Sequence, residues 1–349
     1  MQLSHRCTQI STELNAMNPE TRAEITVVIC TRNRAESLRE TLACLARAEA
    51  PGLHSEIVVV DNGGTDATAE VVRNAPTRRP VRYLYEPHPG KSRALNQALS
   101  VAPLGNIVAV MDDDMSPQPG WFAGVKAICD RWPEMDLFTG SSFIIWPVAE
   151  VPDWCRHPGL RGWAFSVMSV NQEAPLAEGR WFSGNHFWFR SRVLADGRRF
   201  ESGQDVLDSH FMSDPQFMLQ LAEDGYQGLM APDATCGHRI QPDLLDYRNQ
   251  QQRAARTGRG YATARLQPFK RRVKQARLFQ AHPILSRLFC VGSILGWSLA
   301  GLAARLHPVP ASRYILQLQA ILRFNTYRQY LRIARQCEEY GVFRRISRS

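Results

Sequence analysis

From residue 25 the chain alternates short apolar runs with stretches of helical periodicity, and this rhythm limits the possible folds more than any other feature. "ITVVIC" is continuous and β-branched, the mark of a strand buried on both faces. "AESLRETLACLARAEA" then spaces its apolar residues as a helix does, and "EIVVVDN" returns to a strand. "DATAEVVRNA" predicts a helix, "VRYLYEP" a third strand, "SRALNQALSVA" another helix and "NIVAVMDDD" a fourth strand. A βαβαβαβ order predicts a mostly parallel sheet with helices on both faces. Ligands of such sheets bind beyond the carboxyl ends of the strands, and every polar cluster of interest falls at such an end.

Beyond the fourth strand the pattern changes. Residues 133–190 are rich in Trp, Pro and Phe and look irregular, as in "SSFIIWPVAEVPDWCRHPGLRGWAF" and "RWFSGNHFWFRSRVL". Such a segment either walls a carbohydrate or lipid pocket or is plain core. Residues 214–224 return to helix, "GYQGLMAP" predicts a last strand, and from 242 onward the chain reads as helical. Within that tail, residues 288–304 form an uncharged run of 17 bracketed by Arg287 and Arg305. As a helix the run is roughly 25 Å long, short of the roughly 30 Å of a hydrocarbon core. Docking on a membrane face, an ordinary buried helix and a true span all stay open.

Charge is unevenly spread. The 349 residues carry 42 Lys/Arg against 33 Asp/Glu, and 253–277 holds nine basic residues and no acid. That block implies an anionic partner: a diphosphate, a lipid surface or a nucleic acid. With 44% apolar residues a large core is available, which excludes a globally disordered chain. The eight cysteines show no zinc-finger spacing, and the N-terminal stretch has no apolar signal core; both fit a cytoplasmic location.

Three consecutive carboxylates, Asp112, Asp113 and Asp114, follow the apolar strand "NIVAVM". They repel one another, and at the end of a buried strand a hard cation such as Mg²⁺ or Mn²⁺ is the natural offset; a solvated acidic turn ahead of "SPQP" is the plainer alternative. Asp61 and Asn62 end the second strand in "VVVDNGGTD", where the Asp can accept from a base imide or a ribose. "CTRNR" ends the first strand and brings Thr31, Arg32 and Arg34 to the same edge. "HPGKSRALNQAL" sets Gly90, Lys91 and Arg93 at a helix N-terminus, a position suited to phosphate, although the spacing is not that of a P-loop.

"VVICTRNR", "VVVDNGGTD", "GKSRALNQAL" and "VAVMDDDMSP" resemble, in order and spacing, the successive motifs of family 2 glycosyltransferases with the GT-A fold. "WFSGNHFWFRSRVL" is similar to that family's Gly-Asn segment. "SDPQFMLQLAEDGYQGLMAPDATCGHRI" with "RAARTGRGYA" is similar to its base, acceptor and His segment. The likeness covers about residues 24–265. It implies a Rossmann-like GT-A domain over 24–265, after a leader of 1–23 and before a helical extension of 266–349. It also implies a nucleotide pocket of Thr31, Arg32, Arg34, Asp61, Asn62, Gly90, Lys91, Arg93, Asp112 and Asp113. Asp112 and Asp114 would form the D-x-D pair, with the register open by one, and His238 would stand near the metal or be structural. Trp181, Gly184, Asn185 and His186 would line the sugar and acceptor side.

In the family the catalytic base is the Asp of a Glu-Asp pair about eleven residues before the glycine ending the next helix. Here that glycine is Gly225 and the count returns Asp214, preceded by Ser213 and not by Glu. Glu223-Asp224, the conspicuous pair, sits in the last helical turn, where carboxylates oppose the helix dipole and belong in solvent. Asp214 also starts its helix and is a natural cap, so the two roles compete or coexist. Asp205 and Asp208 are the other acids within reach.

The resemblance implies an inverting, Mg²⁺- or Mn²⁺-dependent transfer of a sugar from a nucleotide-sugar donor to a glycan or lipid-linked hydroxyl. Residues 266–306 would touch the inner face of the cytoplasmic membrane, and nucleic acid is not among the expected partners. A non-catalytic, membrane-associated binding protein and a nucleotidyltransferase are the rival classes. The missing Glu beside Asp214 keeps the first rival open, and "CTRNR" in place of a Gly-rich loop speaks against the second.

Overall fold

The computed structural model describes residues 23–48, 50–100, 104–175, 184–200, 213–265 and 283–339. Trp181, Asp205, Asp208 and the basic residues of 270–277 lie outside the described residues. The chain divides into two compact units, Met1–Ile145 with Val167–Ser202 and Ser213–Arg239, and Trp146–Ser166 with Gly203–Met212 and Ile240–Ser349.

The first unit follows the sequence rhythm: β1 (Ile25–Thr31), α1 (Ala35–Arg47), β2 (Ser55–Asp61), α2 (Thr68–Arg73), β3 (Val81–Tyr85), α3 (Lys91–Leu99) and β4 (Ile107–Asp112). Then come β5 (Met115–Pro117), α4 (Trp121–Arg131), β6 (Leu137–Ile145), β7 (Ala174–Pro175), β8 (His186–Arg190), α5 (Ser213–Glu223) and β9 (Gly228–Arg239). The strands form one sheet in the order β3-β2-β1-β4-β8-β6-β9-β5, with β7 also paired to β9. β1, β2, β3 and β4 run parallel. Past β4 the sheet is mixed: β8 is antiparallel to β4 and β6, β9 is parallel to β6, and β5 is antiparallel to β9. The fold is thus a mixed α/β, Rossmann-like sheet. Parallelism is strict only where a helix crosses back between strands, because a parallel connection requires that crossover.

Alternation along the strands explains why they are apolar throughout. Val27, Ile29, Ile57, Val59, Ala109 and Met111 enter one core with Leu38 and Leu42 of α1 and Phe122 of α4. Their neighbours Val28, Val58, Val60, Val108 and Val110 enter the opposite core with Leu95 of α3 and Phe217 and Leu221 of α5. Both faces of β1, β2 and β4 are therefore covered by helices, while the edge strand β3 is only partly buried and ends on the exposed Tyr85.

The aromatic stretch of 133–190 proves more regular than its sequence suggests. Leu137–Ile145 is a nine-residue strand and His186–Arg190 its partner. Phe138, Phe187, Trp188 and Phe189 are fully buried, with the Phe138 and Trp188 rings stacked at 5.9 Å. These aromatics are core and do not wall a pocket.

The second unit is helical: α6 (Tyr247–Arg265), α7 (Pro283–Ala303) and α8 (Pro310–Glu339). Contact division puts α6 in this unit, whereas the motif likeness runs to residue 265. α6 packs on α8 at Gly258, where a Cβ would fall 2.1 Å from the Leu322 carbonyl oxygen, so only glycine permits the approach. Trp154, Tyr247 and Tyr314 cluster edge to face, and Tyr247 donates its hydroxyl to Gln317 at 2.8 Å. Among the described helices α7 stands out in being apolar and exposed. Residues Ile284–Leu306 are long and apolar enough to cross a membrane, and only 6% of the apolar window is buried. Of the three alternatives for 288–304, burial within this chain is the one the exposure speaks against.

Candidate active site

The site gathers at the carboxyl ends of β1, β2 and β4. Asp112 closes β4, and its amide donates to the Asn185 carbonyl at 2.9 Å. Thr31, the last residue of β1, donates its hydroxyl to Asp113 Oδ2 at 2.7 Å. Arg34 lays its guanidinium across the next two acids, Nη1 to Asp113 Oδ1 at 2.6 Å and Nη2 to Asp114 Oδ2 at 2.8 Å. The Lys91 ammonium reaches Asp112 Oδ1 at 2.6 Å, Asp214 Oδ2 at 2.7 Å and the Gly184 carbonyl at 3.3 Å. The mutual repulsion of the three aspartates is thus offset by protein cations, and a metal is not required to explain it.

These surroundings divide the acids. Burial, aided by the charges of Asp114 and Asp112, raises Asp113 to about 6 against the pull of Arg34 and Thr31. Burial acts the same way on Asp114, but His238 and Arg34 outweigh it and hold that carboxyl well below the usual range. Burial disfavours charge on Lys91, yet Asp112 and Asp214 overcome it and keep the ammonium protonated far above its ordinary value.

Asp214 lies in the first turn of α5, and its buried carboxylate is seated against Gly184. A Cβ at residue 184 would stand 2.5 Å from Asp214 Oδ2. Gly184 therefore serves the approach of this carboxylate, a role sequence reasoning did not foresee. Asp224 is exposed and ion-paired with Arg198, as a solvated helix end should be.

At the neighbouring edge, Asp61 Oδ1 accepts from the Gly64 amide at 2.9 Å and Oδ2 from the Tyr83 hydroxyl at 2.9 Å. The residue is buried, and burial raises its pKa in spite of both bonds. Asn62 accepts from the Gly90 amide at 2.7 Å and donates to the His88 carbonyl at 2.8 Å, fixing the loop that launches α3. Gly90 has φ +143°, a conformation L side chains rarely adopt, and so lets the chain turn directly into Lys91. Arg32 and Arg93 are exposed and outside this network of short contacts.

The two histidines separate. His238 is brought to the acids by the pairing of β9 with β5, in register with Met115, and its Nε2 is 3.4 Å from Asp114 Oδ1. His186 is instead a core residue. Its ring accepts from Trp121 Nε1 at 2.8 Å and lies among Trp121 and Trp188, and burial lowers its pKa to about 3.

Arg239, next to His238, was missed. Its guanidinium donates to the carbonyls of Met115 at 2.8 Å, Ser37 at 2.8 Å and Asp113 at 3.1 Å, and to the Thr41 hydroxyl at 2.7 Å. Ser37 and Thr41, one helical turn apart on α1, add their own bonds to the Asp113 carbonyl, each 2.8 Å. Together they pin the turn that carries the acids. Arg239 also donates to the Ser116 hydroxyl at 2.6 Å and pairs with Glu40 at 3.0 Å, and no local signal marks it, because all these partners are far away in sequence.

Among the described residues no group of three His, Cys, Asp or Glu side chains is arranged to hold a metal ion. Asp114 Oδ1 is buried with no hydrogen-bond partner, close to His238 Nε2. This pair fits a Mg²⁺ or Mn²⁺ that takes few protein ligands and completes its shell with phosphate oxygens and water.

A Rossmann-like sheet with helices on both faces and carboxylates gathered at the strand ends defines a GT-A-type fold. The mannosyltransferase PcManGT from Pyrobaculum calidifontis, solved with GDP-Man and Mn²⁺, superposes over 93% of this chain and 94% of its own with TM-score 0.56 at 21% identity. Residues 26–133 match the sequence profile of Glycosyl transferase family 2. Over that segment, 108 of the 349 residues, the chain is similar to that family. Chondroitin synthase of Escherichia coli is 33% identical over 98 residues, 28% of this chain and 14% of that protein. Validoxylamine A glucosyltransferase of Streptomyces hygroscopicus subsp. jinggangensis is 35% identical over 107 residues, 30% of this chain and 25% of that protein. The matched segments span 14% to 40% of the length of the curated relatives.

Proposed function

We propose that the chain transfers a sugar, with inversion, from a nucleotide-sugar donor to a glycan or lipid-linked hydroxyl. The observation that carries this reading is the single ammonium of Lys91 shared by Asp112 and Asp214. It sets the acid at the donor edge and the candidate base on one cation, so an acceptor hydroxyl reaching Asp214 meets the donor across a short gap.

On this reading Asp61, Asn62, Thr31 and Arg34 frame the nucleotide, with Arg32 and Arg93 at its exposed rim. The cations Lys91 and Arg34 face the leaving diphosphate, whose negative charge grows as the glycosidic bond breaks. Asp112, Asp114 and His238 would hold Mg²⁺ or Mn²⁺, which when bound adds Lewis-acid neutralisation of the diphosphate. Asp214 accepts the proton of the acceptor hydroxyl as that oxygen bonds to the anomeric carbon. Gly184, Asn185 and Trp181 belong to the sugar and acceptor side, while His186 contributes through the core behind them. Residues 24–265 carry the transfer, and 266–306 supply peripheral contact with the cytoplasmic face of the membrane.

Purified chain with Mn²⁺ is to be assayed for hydrolysis of, or transfer from, UDP-, GDP- and dTDP-sugars, beside thermal shifts with the same compounds. Stabilisation by one nucleotide class with sugar release supports the reading. Stabilisation without turnover points to a binding protein, and silence in both removes the donor site.

A further inference from the structure

We propose that the second unit is an in-plane anchor for an anionic bilayer, in which α7 lies along the membrane interface and does not cross it. The proposal takes membrane contact one step further, to orientation and lipid class, and it stands or falls apart from glycosyl transfer.

Three observations carry it. The first is the surface of α7. Leu288, Leu295, Leu299 and Leu302 are between 59% and 67% exposed, and from Leu288 to Ala304 the helix bears no charge. Only a narrow stripe, with Cys290 and Ala304 buried, is covered. A contiguous apolar surface of this size on a soluble molecule marks an interaction face.

The second is charge. Residues 247–337 contain 17 Lys/Arg and no Asp or Glu, leaving 25 basic against 33 acidic residues in the rest of the chain. This acid-free stretch includes α7, and among its described residues Arg287 and Arg305 flank the exposed apolar run while Arg323, Arg328 and Arg332 lie on α8. Apolar burial plus attraction to anionic headgroups is the combination that holds interfacial helices.

The third decides between lying and spanning. The 23 residues of Ile284–Leu306 would make about 34 Å of helix, enough to cross a bilayer on length alone. But α8 packs back along α7, with Phe289 against Tyr327 and Gly301 facing Ala320. Between and beside those contacts α8 exposes Arg323, Arg328 and Arg332. A spanning α7 would drag these guanidinium groups into hydrocarbon, where charge is strongly disfavoured. With α7 in the interface plane, they stay at headgroup level. α6, which exposes Arg248 and Arg256, packs on α8 at Leu322, about 200° round the helix from Ala320. The exposed Arg248 and Arg256 thus lie across α8 from the apolar helix, and headgroup contact falls to Arg287, Arg305 and the arginines of α8.

Full-length protein is mixed with preformed vesicles of phosphatidylcholine alone or with one third phosphatidylglycerol, and co-sedimentation is measured at low and high salt. The expected result is binding at least tenfold tighter to the anionic vesicles, weakened by salt. The exposed triple variant Leu288→Glu, Leu295→Glu, Leu299→Glu should lose at least tenfold in binding while keeping its thermal midpoint. For orientation, Arg287→Cys and Arg305→Cys, at the two ends of the uncharged run and off its leucine face, are each treated on vesicles with a membrane-impermeant maleimide, and added mass is compared with the parent chain. Both gain a label from outside if α7 lies in the plane. A label at one end only, until detergent is added, means a span and overturns the proposal. So does absence of vesicle binding, whether α7 instead mediates a dimer that the triple variant dissociates or the basic surface retains only nucleic acid.

Discussion

The Lys91 ammonium stands 2.7 Å from Asp214 and 2.6 Å from Asp112, and so links the helix that carries the candidate base to the strand that ends in the three acids. If Asp214 is the base, Asp214→Asn lowers transfer by about 10²- to 10⁴-fold, the usual worth of a positioned general base. Donor-induced thermal stabilisation should persist in the same variant. Lys91→Met leaves two carboxylates without their shared cation and should cost roughly 1–3 kcal/mol of stability, since the group is partly solvated. In chemical denaturation the pair Lys91→Met, Asp214→Asn should be less destabilised than the sum of the single changes. Additivity would mean the bridge is not energetically real.

Gly184→Ala tests how tightly the base is seated. The new methyl meets Asp214 Oδ2 at 2.5 Å, so the carboxylate or the 184–186 segment must move. Expected effects are a loss of roughly 1–3 kcal/mol in stability, the usual cost of overpacking, and a fall in turnover larger than any change in donor KM. Unchanged turnover would detach Asp214 from the chemistry.

His186 gives the fold a pH dependence of defined sign. Its folded pKa is about 3 against an ordinary 6.5, so below pH 6.5 the unfolded chain takes up a proton that the folded chain refuses. Stability contributed by the neutral ring is complete above that pH and is lost as pH falls toward 3, with a limiting slope of about 1.4 kcal/mol per pH unit. His186→Gln retains an acceptor for Trp121 and removes the titration. Urea midpoints between pH 4 and 6 should therefore fall less steeply in the variant than in the parent.

Metal dependence is checked at His238. His238→Ala should weaken Mn²⁺-dependent donor stabilisation by about tenfold or more, with metal-free nucleotide binding changed little. Titrating Mn²⁺ against a fixed nucleotide concentration after chelator treatment separates the two. If parent and variant respond alike to Mn²⁺, His238 is a structural partner of Asp114 and nothing more.

The parallel half of the sheet was legible because residues such as Val27 and Val28 both had to be apolar, each entering a different core, and no helix or wet strand has that pattern. The strands around Phe138 and Trp188 were not legible. Aromatic residues in a row carry no period, and Gly and Pro nearby mimic a loop. In the site, Asp112, Asp113, Asp114, Lys91 and Arg34 could be named from their places at strand and helix ends. The sequence could not tell His186 from His238: each stands within two residues of a glycine at a strand, and only strand pairing sends one to Trp121 and the other to Asp114. Arg239 was invisible for another reason. Its partners are carbonyl groups, hydroxyls and the Glu40 carboxylate, all 123 or more residues away in sequence, so no local pattern flags the contact.

Asn62 joins two pieces of chain through one amide group, accepting from Gly90 and donating to His88. The end of β2 and the start of α3 are in effect a single jig, with Asp61 at one end and Lys91 at the other. Whatever touches Asp61 is thereby held at a set reach from the cation that links Asp112 to Asp214. Shortening or loosening the amide would blur that reach, so discrimination among donors and the rate of the chemical step would drift together and could not be tuned separately.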